Sequence, residues 1–229
     1  MSATLSAFPF LTSSEFHHAC HTFLHRISPV LDPSLSCRWE ATGPILKISQ
    51  CIHNPNFRHY DDDAASDAPL PTDYDDDDPE ALIRTPNPGP KLQVDYEVLL
   101  SPTYQVPVLY FRLRQTGHPT PLTIDDVYRY MVPSQYRKEL QSVGVMGSIS
   151  SGYHPHSGAP MFFVHPCNTA DAMKQIAGHQ RVTPELYLII WLGLVGNRLG
   201  LHLPRELFQT GDAQNSDGVE KKGPEPGTV

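Results

Sequence analysis

Cysteine and tryptophan are scarce in this chain, at four and two of 229 residues. The thiols Cys20, Cys37, Cys51 and Cys167 are dispersed, with no CxxC pair and no framework spacing, which argues against a disulfide scaffold or a zinc ribbon. Both common phosphate cradles are missing: there is no GxxxxGK loop followed by Ser or Thr, and no GxGxxG turn. No basic stripe interleaved with aromatics runs along the chain, so nucleic acid is not an expected partner. The most apolar run, Leu186 to Gly196, covers about half of the ~20 residues that a bilayer-spanning helix needs. Asn197 and Arg198 follow it directly, and a buried helix is expected there. The start, Met1-Ser2-Ala3-Thr4-Leu5, lacks the basic region and apolar core of a signal peptide. A reduced, soluble, intracellular protein of one domain is the expectation.

What is abundant is acid, and it is concentrated. The formal net charge is −8. Residues Asp61 to Glu80 hold nine Asp, one Glu and no Lys or Arg, so the rest of the chain is close to neutral. This stretch lies in a Pro- and Asp-rich segment with almost no apolar periodicity, and about 55–90 is expected to be a disordered insertion. It lacks the glycine turn and closing Glu of a calcium loop. A solvated linker is the simpler reading.

The remaining pattern is mixed. Thr12 and Glu15 have capping-box spacing, and Phe16, Ala19, Cys20, Phe23, Leu24 and Ile27 recur at helical intervals up to Ser28-Pro29. Strand-like runs follow at 36–41, 45–52, 94–100 and 106–113. Short or disordered links join them, which favours an antiparallel meander over parallel crossovers. Pro107 suggests that the fourth run is an edge strand or carries a bulge. Thr123 and Asp126 cap a further helix, another is expected from Pro133 to Val143, and 144–160 reads as a loop. Thr183 as N-cap and Pro184 at the first position open the last long helix. Residues 1–204 form one expected domain and 205–229 a flexible tail.

Chemistry concentrates at Cys167. Met161 to Val164 is a short apolar strand, His165-Pro166-Cys167 stops it, and Asn168 opens a helix. A thiol at a helix N-terminus feels partial positive charge, which favours the nucleophilic thiolate. With no nucleotide motif, such a thiol must receive an already activated acyl group or hydrolyse one, and a thioester is the natural form of that group. His17, His18, His21 and His25 spread around the first helix and do not converge as zinc requires. His154, His156 and His165 precede the cysteine without an acidic orienter at a recognisable spacing. A zinc site or a Cys–His hydrolase pair is an open but weaker reading there.

Phe163-Val164-His165-Pro166-Cys167 resembles the active-site signature of the two autophagy-specific ubiquitin-like conjugating (E2-like) families. Ser101 to Arg112, Pro121 to Val127, and Tyr187 to Gly196 with Gly200 to Pro204 are similar to the autophagy-related protein 10 family in particular. The sister family, autophagy-related protein 3, shares His-Pro-Cys but not the closing Trp-Leu and Gly-Leu-x-Leu-Pro pattern. The acidic insertion is not part of the family core, and Gly196-Asn197-Arg198-Leu199-Gly200 replaces an expected Pro-containing turn.

The resemblance implies an α+β, E2-like fold: a four-stranded antiparallel meander flanked by an N-terminal helix and C-terminal helices. It implies that Cys167 takes the modifier autophagy-related protein 12 as a thioester from the E1-like autophagy-related protein 7. A lysine of the acceptor, autophagy-related protein 5, then attacks. His165 and Asn168 are candidates for orienting the loop and for donating to the oxyanion, and Tyr104 and Tyr110 for lining the site. No cofactor, metal or nucleic acid is implied. A cytoplasmic location follows, with at most peripheral membrane association through recruitment to the autophagosome assembly site. A carrier of the lipid-conjugated modifier, a thiol hydrolase and a non-catalytic interaction domain are the alternatives.

Overall fold

Thr12 and Glu15 start the first helix as their spacing predicts. The Thr12 hydroxyl accepts from the Glu15 amide at 3.2 Å, and the Glu15 carboxylate accepts from the Thr12 amide at 2.8 Å. Helix α1 (Ser13–Ile27) then turns Phe16, Ala19, Cys20, Phe23 and Ile27 inward. The computed structural model describes residues 4–52, 92–115, 123–132 and 149–208. The acidic insertion, the helix expected from Pro133 to Val143 and residues 209–229 of the expected tail lie outside the described residues.

Four strands follow α1 as an antiparallel meander: β1 (Leu35–Glu40), β2 (Ile45–Ile52), β3 (Leu92–Leu100) and β4 (Pro107–Gln115). The register places Leu46, Ile48, Tyr96, Val98, Leu109 and Phe111 on one face, all fully buried. Lys47, Asp95, Glu97, Tyr110 and Arg112 occupy the other face, as the period-two pleat demands. Helix α2 (Ile124–Tyr130) opens with a second capping box, Thr123 with Asp126.

The sheet has six strands, not the four expected, because part of the expected loop pairs. Strands β5 (Ile149–Tyr153) and β6 (Pro160–Val164) form a hairpin that joins the meander through β6, in the order β1-β2-β3-β4-β6-β5. Ile149-Ser150-Ser151-Gly152-Tyr153 has no apolar alternation, so only its partner makes it a strand. A Cβ on Gly152 would come within 3.1 Å of the Phe163 ring, which would have to shift by a few tenths of an ångström to admit it. The reading of Pro107 also needs correction. Strand β4 is internal, and Pro107 is its first residue. The β4–β6 ladder involves only Tyr110 with Phe163 and Phe111 with Phe162. The missing N–H of Pro107 therefore falls beyond the ladder and costs nothing.

A short 3₁₀ turn (Pro166–Asn168) leads from β6 into α3 (Thr169–Ala177), and α4 (Pro184–Gly196) follows with Thr183 as its N-cap. Helix α4 is apolar on all sides and contributes Tyr187, Leu188, Trp191 and Leu192 to the core shared with α1 and the inner sheet face. The α+β class is as expected. Arg205–Phe208 departs from the expected tail, since it forms a 3₁₀ turn with Leu207 buried. The Tyr96 hydroxyl donates to the Leu199 carbonyl at 2.9 Å and ties β3 to the end of α4. Tyr96→Phe leaves that buried carbonyl unpaired, and urea unfolding should show a loss of about 1 kcal/mol.

Candidate active site

Cys167 is the exposed member of the four free cysteines. Strand β6 brings the chain along β4 to Val164, and Pro166, at the start of the 3₁₀ turn, turns it away. The first helical residue of α3 is Thr169, two residues beyond the thiol. Cys167 therefore stands at the strand-to-helix junction read from the sequence, separated from α3 by the Asn168 cap position. The thiol has no hydrogen-bond partner among the described residues.

His165 shapes this turn. Its Nδ1 accepts from the Cys167 amide at 3.2 Å, capping the 3₁₀ turn. The neutral ring thus carries its proton on Nε2. Asn168 occupies the N-cap position of α3, yet its side chain makes no capping hydrogen bond. Tyr104, 41% exposed, sits in the β3–β4 connection and meets the His165 ring edge-on at 5.6 Å. His165, Asn168 and Tyr104 are thus gathered at the turn that carries the thiol.

Tyr110 stands further off. Its ring lies 5.5 Å from Phe163, and Phe163 lies 6.4 Å from His165. Partial burial pushes its phenol above the usual value near 10. On its other side Tyr110 meets His154 edge-on at 5.1 Å. The outer sheet face therefore carries a continuous series of rings, from Tyr104 through His165, Phe163 and Tyr110 to His154. No local pattern announces this series, because its members come from four separate segments, with only Phe163 and His165 close in sequence.

The other histidines are placed differently from a metal centre. His154 is 1% exposed under the β5–β6 connection, with Nε2 facing Glu97 Oε2 at 3.2 Å outside hydrogen-bond geometry. Its Nδ1 accepts from the Ser157 amide at 3.2 Å. His17 and His21 flank Trp39 at 5.2 and 5.3 Å. Among the described residues no group of three or more His, Cys, Asp or Glu is arranged to hold a metal.

A family model described as "Autophagocytosis associated protein, active-site domain" matches residues 15–206. The chain belongs to that family. Within it, the chain is similar to the ubiquitin-like-conjugating enzyme ATG10 of Gibberella zeae, at 41% identity over 136 residues, covering 59% of this chain and 56% of the relative. Its similarity to the enzyme of the same name from Homo sapiens is 34% over 125 residues, covering 54% and 56%. The chain thus spans about half the length of the curated relatives it matches. A solved chain described as "Crystal structure of Autophagic E2, Atg10" matches with a TM-score of 0.46 at 12% identity, covering 84% of this chain and 99% of that one. The family match takes in α1 from Glu15 onwards, the whole sheet and α4, so the cysteine turn lies inside the family's active-site domain. No helix among the described residues is long and apolar enough to cross a membrane.

Proposed function

We propose that this family member is an E2-like carrier that holds the C-terminal acyl group of a ubiquitin-like modifier as a thioester on Cys167 and passes it to a lysine. The observation that carries the reading is the exposure of Cys167, a free thiol on a hydrogen-bonded turn within an active-site domain. In the first step Cys167 Sγ attacks the carbonyl carbon of the modifier's thioester on its activating enzyme. A new S–C bond forms, the old one breaks, and the activating enzyme's thiolate leaves. In the second step a neutral lysine amine attacks the same carbon, a C–N bond forms, the nitrogen loses one proton to solvent, and the C–S bond breaks as the Cys167 thiolate departs. Each step passes through a tetrahedral oxyanion, whose donors are the groups to identify.

The partners follow from the resemblance: autophagy-related protein 7 as the E1-like donor, autophagy-related protein 12 as the modifier and autophagy-related protein 5 as the acceptor. The location proposed is cytoplasmic, with recruitment to the autophagosome assembly site. A carrier is favoured over a Cys–His hydrolase, because a hydrolase needs a base in reach of its nucleophile. Here the imidazole two residues before the thiol, His165, spends its unprotonated nitrogen on a backbone amide.

The test is direct. The full chain is incubated with the E1-like enzyme, the modifier and ATP, and resolved on non-reducing gels. A band shifted by the mass of the modifier and lost on reduction is expected. Free modifier acid without that band would instead indicate a hydrolase, and no reaction at all an interaction domain.

A further inference from the structure

Trp191, on α4, is 1% exposed, and its indole N–H has no hydrogen-bond partner among the described residues. Buried indole donors ordinarily find a protein acceptor or an ordered water. Trp191 also forms part of the wall of a small cavity behind the cysteine turn. Val164 and His165 at the end of β6, Asn168 and Thr169 at the entry to α3, and Leu194 of α4 also line this recess, which is partly open to solvent. Its volume is about 20 Å³. One water requires roughly 10–15 Å³ and two to four polar partners. The volume suffices for one water, and Trp191, Asn168, Thr169 and His165 are the lining residues that carry polar groups. Asn168 stands at a helix N-cap, yet its side chain makes no capping bond to α3.

We propose that Trp191 is a positioning residue for the cysteine turn: a single water in this cavity accepts from the indole N–H and donates to the Asn168 carboxamide oxygen. The indole touches no reacting atom. Through the water it fixes the side chain next to Cys167, with the Asn168 amide hydrogens left to donate to the thioester oxygen as its carbon becomes tetrahedral. The catalytic part of the inference rests on the thioester reading above. The water itself does not.

Two measurements on the full chain test it. In a ¹⁵N-labelled sample the two indole resonances, from Trp39 and Trp191, are assigned with Trp191→Phe. The Trp191 N–H should show magnetisation transfer to a long-lived water, and Asn168→Ala should shift or remove that transfer. In single-turnover discharge of the preformed thioester to free lysine, Trp191→Phe and Asn168→Ala should each lower the maximal rate roughly tenfold or more. The lysine concentration at half-maximal rate should stay unchanged, and the double variant should be no slower than the slower single one. A dry indole, a wild-type rate in Trp191→Phe or additive losses would overturn the proposal. Should Trp191→Phe fail to fold, the water transfer in the wild type and its response to Asn168→Ala decide. If the wild type never forms a thioester, the functional reading fails, while the resonance experiment still judges the water.

Discussion

Cys167→Ser is expected to stop transfer while leaving a covalent adduct that resists reductant. The turn does not depend on the sulfur. Its backbone is held by the Cys167 amide donating to His165 Nδ1, and the exposed thiol has no hydrogen-bond partner to lose among the described residues. Serine therefore enters an intact site. Its hydroxyl is a far weaker nucleophile than a thiolate, so loading slows, and the oxyester formed is less electrophilic towards an amine. The modifier accumulates on the variant as an adduct stable to thiols and cleaved by mild alkali, and no isopeptide product forms. Cys167→Ala should give no adduct at all. Cys20 and Cys37 are poor substitutes, because burial pushes the Cys37 thiol up to about 12 and that of Cys20 higher still. Gels run with and without reductant, followed by alkali, read all of these outcomes. Normal conjugation by the serine variant would remove Cys167 from the mechanism.

What the sequence disclosed depended on how local its cause was. The start of α1 needs only Thr12 and Glu15, three residues apart, and the start of α4 only Thr183 and Pro184. The meander was legible because Leu46, Ile48, Gln50 and Ile52 alternate on one face of β2, and their partners in β3 alternate in step. Strand β5 was not legible, since two serines and a glycine lie between Ile149 and Tyr153 and the pairing that orders them comes from β6. Pro107 was misread for a related reason. Whether a missing N–H matters depends on how far the neighbouring ladder runs, and that is a tertiary fact.

The same division holds at the site. The Cys167 turn was visible as a strand stop before a helix. The contact of Tyr104 with His165 and the cavity behind Asn168 were not, because they join β3–β4, β6, α3 and α4. His154 is the clearest case. In sequence it looked like part of a histidine cluster near the thiol, but the β5–β6 connection folds it onto the outer sheet face against Glu97 and Tyr110.

That burial gives the second large expected effect, an acid weakness removable by one substitution. Burial is the leading cause that pushes the His154 imidazole below its ordinary value of 6.5. Glu97 and Glu40 oppose the shift, while His156 and Lys47 reinforce it. The folded pKa is therefore lower than the unfolded one. Between the two values the unfolded chain binds the extra proton and the folded chain does not. The stability tied to neutral His154 is fully present above about 6.5 and is lost as pH falls from there towards the depressed folded value, at a slope of at most about 1.4 kcal/mol per pH unit. His154→Asn keeps an acceptor for the Ser157 amide, which His154 Nδ1 now meets at 3.2 Å, but does not titrate. The variant should be less stable than the wild type at pH 7.5, because the smaller side chain packs less well against Tyr110. Its further loss between pH 7.5 and 5.5 should be smaller than that of the wild type, as read from urea midpoints at both values. All other side chains are common to both proteins, so their contributions cancel in that comparison. An equal acid-side loss would mean that His154 accepts its proton in the folded state as readily as in the unfolded chain. The β5–β6 connection would then exert no hold on its charge.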